Sequence, residues 1–174
     1  MSHTMIELQA VMEDAVDECI THVDRGGLPF VGVLVNNTGV ISGFGVNRVR
    51  ETGDPTAHAE IVAMRDAMAT QGLENLAGTS LLATGEPCGL CYRFAIDHQV
   101  ETIFVAVDRD AVADWGFDYR TSYQALGISD DQRAGLIHHL PVERGVEPFA
   151  RYLQANTNSE HTHVRSHNQL KGTT

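Results

Sequence analysis

The sequence predicts a three-layer α/β/α domain around a central mixed sheet of about five strands. Three observations lead there. Residues 5–25 place apolar side chains at helical spacing. Residues 30–35 and 40–46 are short β-rich runs flanking the turn Asn36-Asn37-Thr38-Gly39, which predicts an antiparallel hairpin. Further strands at 80–84 and 102–107 alternate with helical segments at 57–71 and 88–98, and strands separated by helices imply parallel pairing with right-handed crossovers.

In the first helix the stripe is Leu8, Val11, Met12, Ala15, Val16, Cys19, Ile20 and Val23, and Gly26-Gly27 ends it. Cys19 reads as a small buried hydrophobe on that stripe. Residues 47–56 are polar and contain Gly53-Asp54-Pro55, so they read as a loop. The next helix has Ile61, Met64 and Met68 as its inner stripe. Gly85-Glu86-Pro87 is a turn before the helix at 88–98. Residues 108–129 read as a loop with short helical turns, and residues 147–154 as a last helix. The domain is expected to span 1–154. Residues 155–174 are rich in Asn, Thr, Ser, His and Gly and read as a polar tail, flexible or exchanged between subunits.

Bulk properties narrow the function. The chain has 174 residues, 43% of them hydrophobic and 20% charged, and this suits one globular domain. Its net charge of −11 is opposite to that of a protein built to neutralise phosphates, which favours a small uncharged substrate over nucleic acid. No apolar run has the length to cross a bilayer, and the start carries no export pattern, so a cytoplasmic location is expected. Three cysteines without such a pattern argue against a disulfide framework.

The chemistry lies in two segments, His58-Ala59-Glu60 and Pro87-Cys88-Gly89-Leu90-Cys91, each at an expected helix start. One imidazole and two thiolates form a three-ligand zinc set whose fourth position stays open to water. Zinc acidifies that water. Positive potential at the helix starts favours the ionised ligands. Glu60, two residues after His58, is awkwardly placed as a co-ligand but can reach the water and carry protons. A structural zinc site would need a fourth protein ligand, for which Cys19 and His22 are the candidates. A thioredoxin-like redox role would leave His58 and Glu60 without a task.

His-x-Glu joined to Pro-Cys-x-x-Cys is the mark of zinc deaminases. With these motifs the chain resembles the cytidine-deaminase-like superfamily, and within it the bacterial guanine deaminases. The resemblance runs from about residue 28 to residue 119. It is carried by Pro29-Phe30, by Asp54-Pro55-Thr56-Ala57-His58-Ala59-Glu60 and by Trp115-Gly116-Phe117-Asp118. It implies Zn2+ held by His58, Cys88 and Cys91, with Glu60 catalytic. It also implies that Asn47, Phe30 and the backbone near Ala57 meet the base, and that the protein is a homodimer. A turn-capping Asn47 and a core Phe30 are the competing readings of those residues.

The chain departs from that family in places. Guanine deaminases usually carry a second Asp after Gly-Phe-Asp. Tyr119 stands there, so Asp118 or Tyr119 would meet the ring. Gly89 replaces a common Pro, and Asp97 a common aromatic residue. A late acid is expected at Glu143, with Glu147 as its rival. The expected reaction is hydrolytic deamination of guanine or a related base, with water as the second substrate. Cytosine-like rings, triazines and nucleosides remain open as substrates. tRNA adenosine editing and non-catalytic zinc binding are the alternatives of another class.

Overall fold

A computed structural model describes residues 5–157. Helix α1 is Met5–Asp24. Strand β1, Val31–Asn36, turns into β2, Gly39–Val40, and β3 is Gly45–Val46. Helix α2, Val49–Thr52, precedes α3, Ala59–Gln71. Then come β4, Ser80–Gly85; α4, Gly89–Asp97; and β5, Thr102–Val107. Helices α5, Arg109–Asp114; α6, Thr121–Ala125; and α7, Asp130–Leu136, lead to β6, Ile137–His139. Residues 147–157 form helix α8.

The sheet runs β2-β1-β4-β5-β6, with β3 also paired to β1. The β1–β4 pair is antiparallel, while β4–β5 and β5–β6 are parallel. The expected mixed sheet is therefore present. The expected second strand, 40–46, is split. Both halves lie antiparallel on β1, but between them the Ser42 hydroxyl takes the Leu34 N–H at 2.9 Å in place of a carbonyl. A side-chain oxygen interrupts the ladder there.

Alternation along β1 explains its unbroken apolar run. Val31, Val33 and Val35 pack with Leu8, Met12, Ala15 and Cys19 of α1, while Leu34 faces Ile61, Met64 and Tyr92 in the layer of α3 and α4. Cys19 is the fully buried small hydrophobe that its stripe implied. Met68 packs only at the edge of its core.

Three segments differ from expectation. The 47–56 loop holds α2. Residues 130–139 form α7 and β6, which the sequence reading passed over. Helix α8 continues through 155–157, where a tail was expected, and the rest of that tail lies outside the described residues. Among the described residues no helix is long and apolar enough to cross a membrane.

Glycines let α3 lie directly on the sheet. A Cβ on Gly45 would sit 2.2 Å from the Ala59 carbonyl oxygen, and one on Gly32 would sit 2.9 Å from Glu60 Cα. Both glycines thus determine how close the first turn of α3 comes to β1 and β3.

Candidate active site

Two helix starts meet at one end of the sheet. His58 is the N-cap of α3 and Cys88 the N-cap of α4, both in extended backbone. Neither side chain caps its own helix. Each is turned to the other instead. His58 Nδ1 lies 3.5 Å from Cys88 Sγ and 3.6 Å from Cys91 Sγ, and the two sulfurs are 3.7 Å apart. A tetrahedral zinc, with Zn–S about 2.3 Å and Zn–N about 2.05 Å, calls for S···S of about 3.8 Å and S···N of about 3.5 Å. The three donors match that spacing. Among the described residues they form the one His/Cys/Asp/Glu group gathered closely enough to hold a metal ion. Cys19 and His22 are not part of it. Cys19 Sγ instead receives the Thr84 hydroxyl at 3.7 Å.

Electrostatics suit the same task. The hydrogen bond with Cys91 holds the Cys88 thiol down at about 4, and His58 adds to the effect. His58 is pushed up, chiefly by its hydrogen bond with Cys88. Burial raises Cys91 well above an ordinary thiol. Without metal, Cys88 is thus the more readily ionised of the two thiols, beside an imidazole whose pKa is raised.

Glu60, in the first turn of α3, is 4% exposed, and its Oε2 accepts from Cys91 Sγ at 3.4 Å. Burial pushes its carboxyl up to about 7. A carboxyl poised near neutrality can both take and return a proton.

A pocket of about 410 Å³ opens onto this set. His58, Ala59, Glu60 and Cys88 form its reactive end. Asn47, Phe30 and Tyr119 also line it, together with Leu28, Leu90, Phe117, Ser122 and Leu126. Phe30 meets Phe117 edge-on at 5.2 Å and Phe149 at 5.5 Å. Asn47 serves a turn and also borders the pocket. Its Oδ1 caps the Val49 N–H at 3.2 Å, and the residue still lines the pocket.

Three expected contacts are not brought together. Asp118 is exposed and held by Arg120 at 2.7 Å, so the loop between α5 and α6 turns it to solvent while Phe117 and Tyr119 line the pocket. Glu143 is exposed and lines a separate surface hollow with Glu13 and Asp17, because the 142–145 turn is tied to α1 by Arg144 and Asp17 at 2.6 Å. Its rival Glu147 is occupied by Arg144 and Arg151. Ala57 is buried beside His58, outside the pocket lining, and its carbonyl takes the Arg48 N–H at 2.9 Å.

Sequence reasoning missed the supports beneath the site. The Glu86 side chain is fully buried and bonded by the Arg133 guanidinium, the Tyr92 hydroxyl at 3.1 Å and the Arg109 N–H at 2.8 Å. Its carbonyl accepts the Tyr119 hydroxyl. Ser122 Oγ takes the Gly89 N–H at 2.8 Å, and a Cβ at Gly89 would lie 2.3 Å from the Ser122 carbonyl oxygen. A proline at position 89 could not donate that bond. Phe117 was visible within its Gly-Phe-Asp segment. Leu126 and Ser122 left no motif.

A profile of the cytidine and deoxycytidylate deaminase zinc-binding region matches residues 5–107, more than half the chain. The chain belongs to that family. Zinc is accordingly the metal that its His/Cys/Cys group takes. Guanine deaminase of Bacillus subtilis is 29% identical over 142 residues, covering 81% of this chain and 90% of that one. The X-ray structure of guanine deaminase from Bacillus subtilis superposes with a TM-score of 0.63 at 27% identity, covering 88% of this chain and 95% of that one. The tRNA-specific adenosine deaminase of Agrobacterium fabrum is 42% identical over 87 residues, covering 50% of this chain and 57% of that enzyme. The tRNA(Ile)-lysidine synthase of Deinococcus radiodurans is 37% identical over 93 residues, 53% of this chain, which spans only 16% of that protein.

Proposed function

We propose that this chain is a zinc-dependent aminohydrolase that releases ammonia from a free amino-substituted nucleobase, guanine or a close relative. One observation carries the reading. The spacing of His58, Cys88 and Cys91 suits zinc, and the buried Glu60 sits beside them at the floor of an aromatic-walled pocket. The near end-to-end match to a guanine deaminase supports the substrate class.

When bound, zinc supplies a water acidified toward neutral pH. The protein's own residues do the rest. His58, Cys88 and Cys91 hold the metal. Phe30, Phe117 and Tyr119 flank a flat ring and exclude solvent around it. The Asn47 amide pairs with an acceptor on the ring edge. Glu60 takes a proton at its carboxylate and delivers it to the ring nitrogen next to the amino-bearing carbon. It then carries a second proton to the departing amine, which leaves as ammonia. Its position in the first turn of a helix held against β1 keeps it within reach of both atoms.

The reading extends to a single domain over 1–154, a cytoplasmic location, a homodimer and no nucleic-acid partner. Two observations support the last point. Among the described residues no Lys or Arg lines the pocket, and the net charge is −11. Editing of tRNA is the second reading, favoured by the 42% identity to a tRNA-specific adenosine deaminase. Ammonia release from a panel of bases, nucleosides and a tRNA anticodon stem-loop separates them. Turnover of free bases with no tRNA shift at low salt is expected. Turnover of the stem-loop alone would transfer the assignment to editing.

A further inference from the structure

The backbone of the turn that carries Cys88 is held from one short segment, residues 119–123. Glu86 and Pro87 precede the ligand, and Gly89 follows it. The Tyr119 hydroxyl donates to the Glu86 carbonyl. The Tyr123 hydroxyl donates to the Pro87 carbonyl at 2.8 Å. Ser122 Oγ accepts the Gly89 N–H at 2.8 Å and donates to the Tyr119 carbonyl at 2.5 Å. Side chains from α6 and the turn before it thus meet backbone groups on both sides of one zinc ligand. All three of these residues lie beyond residue 107, where the match to the zinc-binding region ends.

Each bond has a local reason. Pro87 has no N–H, so its carbonyl is the one backbone group through which a neighbour can hold it. Cys88 is the N-cap of α4 and belongs to the metal set. An N-cap side chain reaches the N–H of the second or third helical residue, so the N–H of Gly89, the first, needs an acceptor from elsewhere. Ser122 is that acceptor. Gly89 permits the approach, because a Cβ there would lie 2.3 Å from the Ser122 carbonyl oxygen. The segment is braced in turn. Tyr123 is buried, with Tyr92 edge-on at 5.6 Å and the Arg109 guanidinium 5.3 Å from its ring centre. The Tyr119 ring lines the pocket beside Phe30 at 6.3 Å. A backbone fixed this way leaves fewer residues to be ordered when a metal binds, and affinity gains accordingly.

Given the zinc site of the proposed enzyme, and whichever ring it turns over, we infer that Tyr119, Ser122 and Tyr123 are positioning residues for the metal. They hold the backbone of residues 86–89 so that Cys88 meets His58 and Cys91 at ligating distance.

Metal affinity tests this in the full-length protein. Ser122→Ala and Tyr119→Phe each remove one hydroxyl, and Tyr123→Phe stands in for either variant that fails to fold. Ser42→Ala is the control, since it removes a hydroxyl that accepts the Leu34 N–H at the break between β2 and β3. Zinc is competed with a chelator, and cobalt is loaded in parallel to read the thiolate charge-transfer bands. The zinc dissociation constant is expected to rise by roughly tenfold in Ser122→Ala and in Tyr119→Phe, with the cobalt bands altered. Ser42→Ala is expected to keep the wild-type affinity and bands. Wild-type affinity and bands in either folded site variant overturn the inference. So does an equal loss of affinity in Ser42→Ala, which would mean general loosening. A raised KM at unchanged zinc affinity would assign the hydroxyls to the substrate and overturn it too. Wild-type protein that releases ammonia from no ring defeats the deaminase reading and leaves the positioning role standing. Ammonia release by the wild type, with zinc affinity unchanged in the variants, does the reverse.

Discussion

Glu60 is a buried acid in the first turn of α3. It is enclosed by β1, α3 and the cysteines, and its carboxylate accepts a hydrogen bond from Cys91. Replacing it with glutamine keeps the shape and removes the proton carrier. Turnover is expected to fall by on the order of 10²–10⁴-fold while zinc content stays at the wild-type level. Atomic absorption alongside the ammonia assay checks both. Full activity in Glu60→Gln would remove its assigned role. The cysteines allow a second test at this scale. In zinc-free protein Cys88 is held down at about 4 and Cys19 is pushed up to about 12 by burial. A depressed thiol is a thiolate above its pKa, so Cys88 is expected to be alkylated at about pH 6, where ordinary thiols react slowly. Its labelling should fade only as the pH drops toward 4. Cys19 should stay unlabelled throughout, and zinc should protect Cys88. Peptide mapping after iodoacetamide treatment reads all three outcomes.

At the scale of elements, α3 and α4 deliver the site, and the segments after β4 and β5 hold it. The delivery was legible in the sequence. His58-x-Glu60 and Cys88-x-x-Cys91 stand at helix starts, and the β-rich run at 30–35 marked the strand that α3 rests on. The supports were less legible because nothing local announces them. Glu86 looked like a turn residue, yet it joins the loop before Cys88 to α5 and α7. Helix α7 did carry a signal, the Ser129–Gln132 capping box. Strand β6 is three residues long with two exposed histidines, so no periodicity could reveal it. Asp118 and Glu143 were drawn from family resemblance, and only tertiary packing shows that a loop turns one outward and that α1 holds the turn bearing the other. The buried pairing of Glu86 with Arg133 makes a definite prediction. Glu86→Ala leaves the guanidinium without its partner and is expected to cost about 3–5 kcal/mol in denaturant unfolding. A loss under 1 kcal/mol would mean that this network does not hold the loop.

The whole molecule couples folding, metal and protons. Zinc joins α3 to α4, so it should stabilise the native chain in proportion to its affinity. Uptake must release the proton of Cys91, whose pKa is raised, and that of His58 wherever its raised pKa keeps it protonated. Both groups therefore hold protons that the metal displaces, and affinity is lost as pH falls. The decline is expected to be about tenfold per pH unit for each proton released. Competition with a chelator between about pH 8 and pH 5 measures the slope. A pH-independent affinity would contradict the ligand set. The net charge of −11 and, among the described residues, a pocket lining without Lys or Arg agree with the proposed small neutral substrate.

Zinc K-edge absorption on the purified protein tests the centre of this account most directly. The account predicts two sulfur ligands at about 2.3 Å and two lighter ones at about 2.0 Å, one of them exchangeable with added small anions. A third sulfur, or a shell closed by protein ligands that no added anion perturbs, would contradict it.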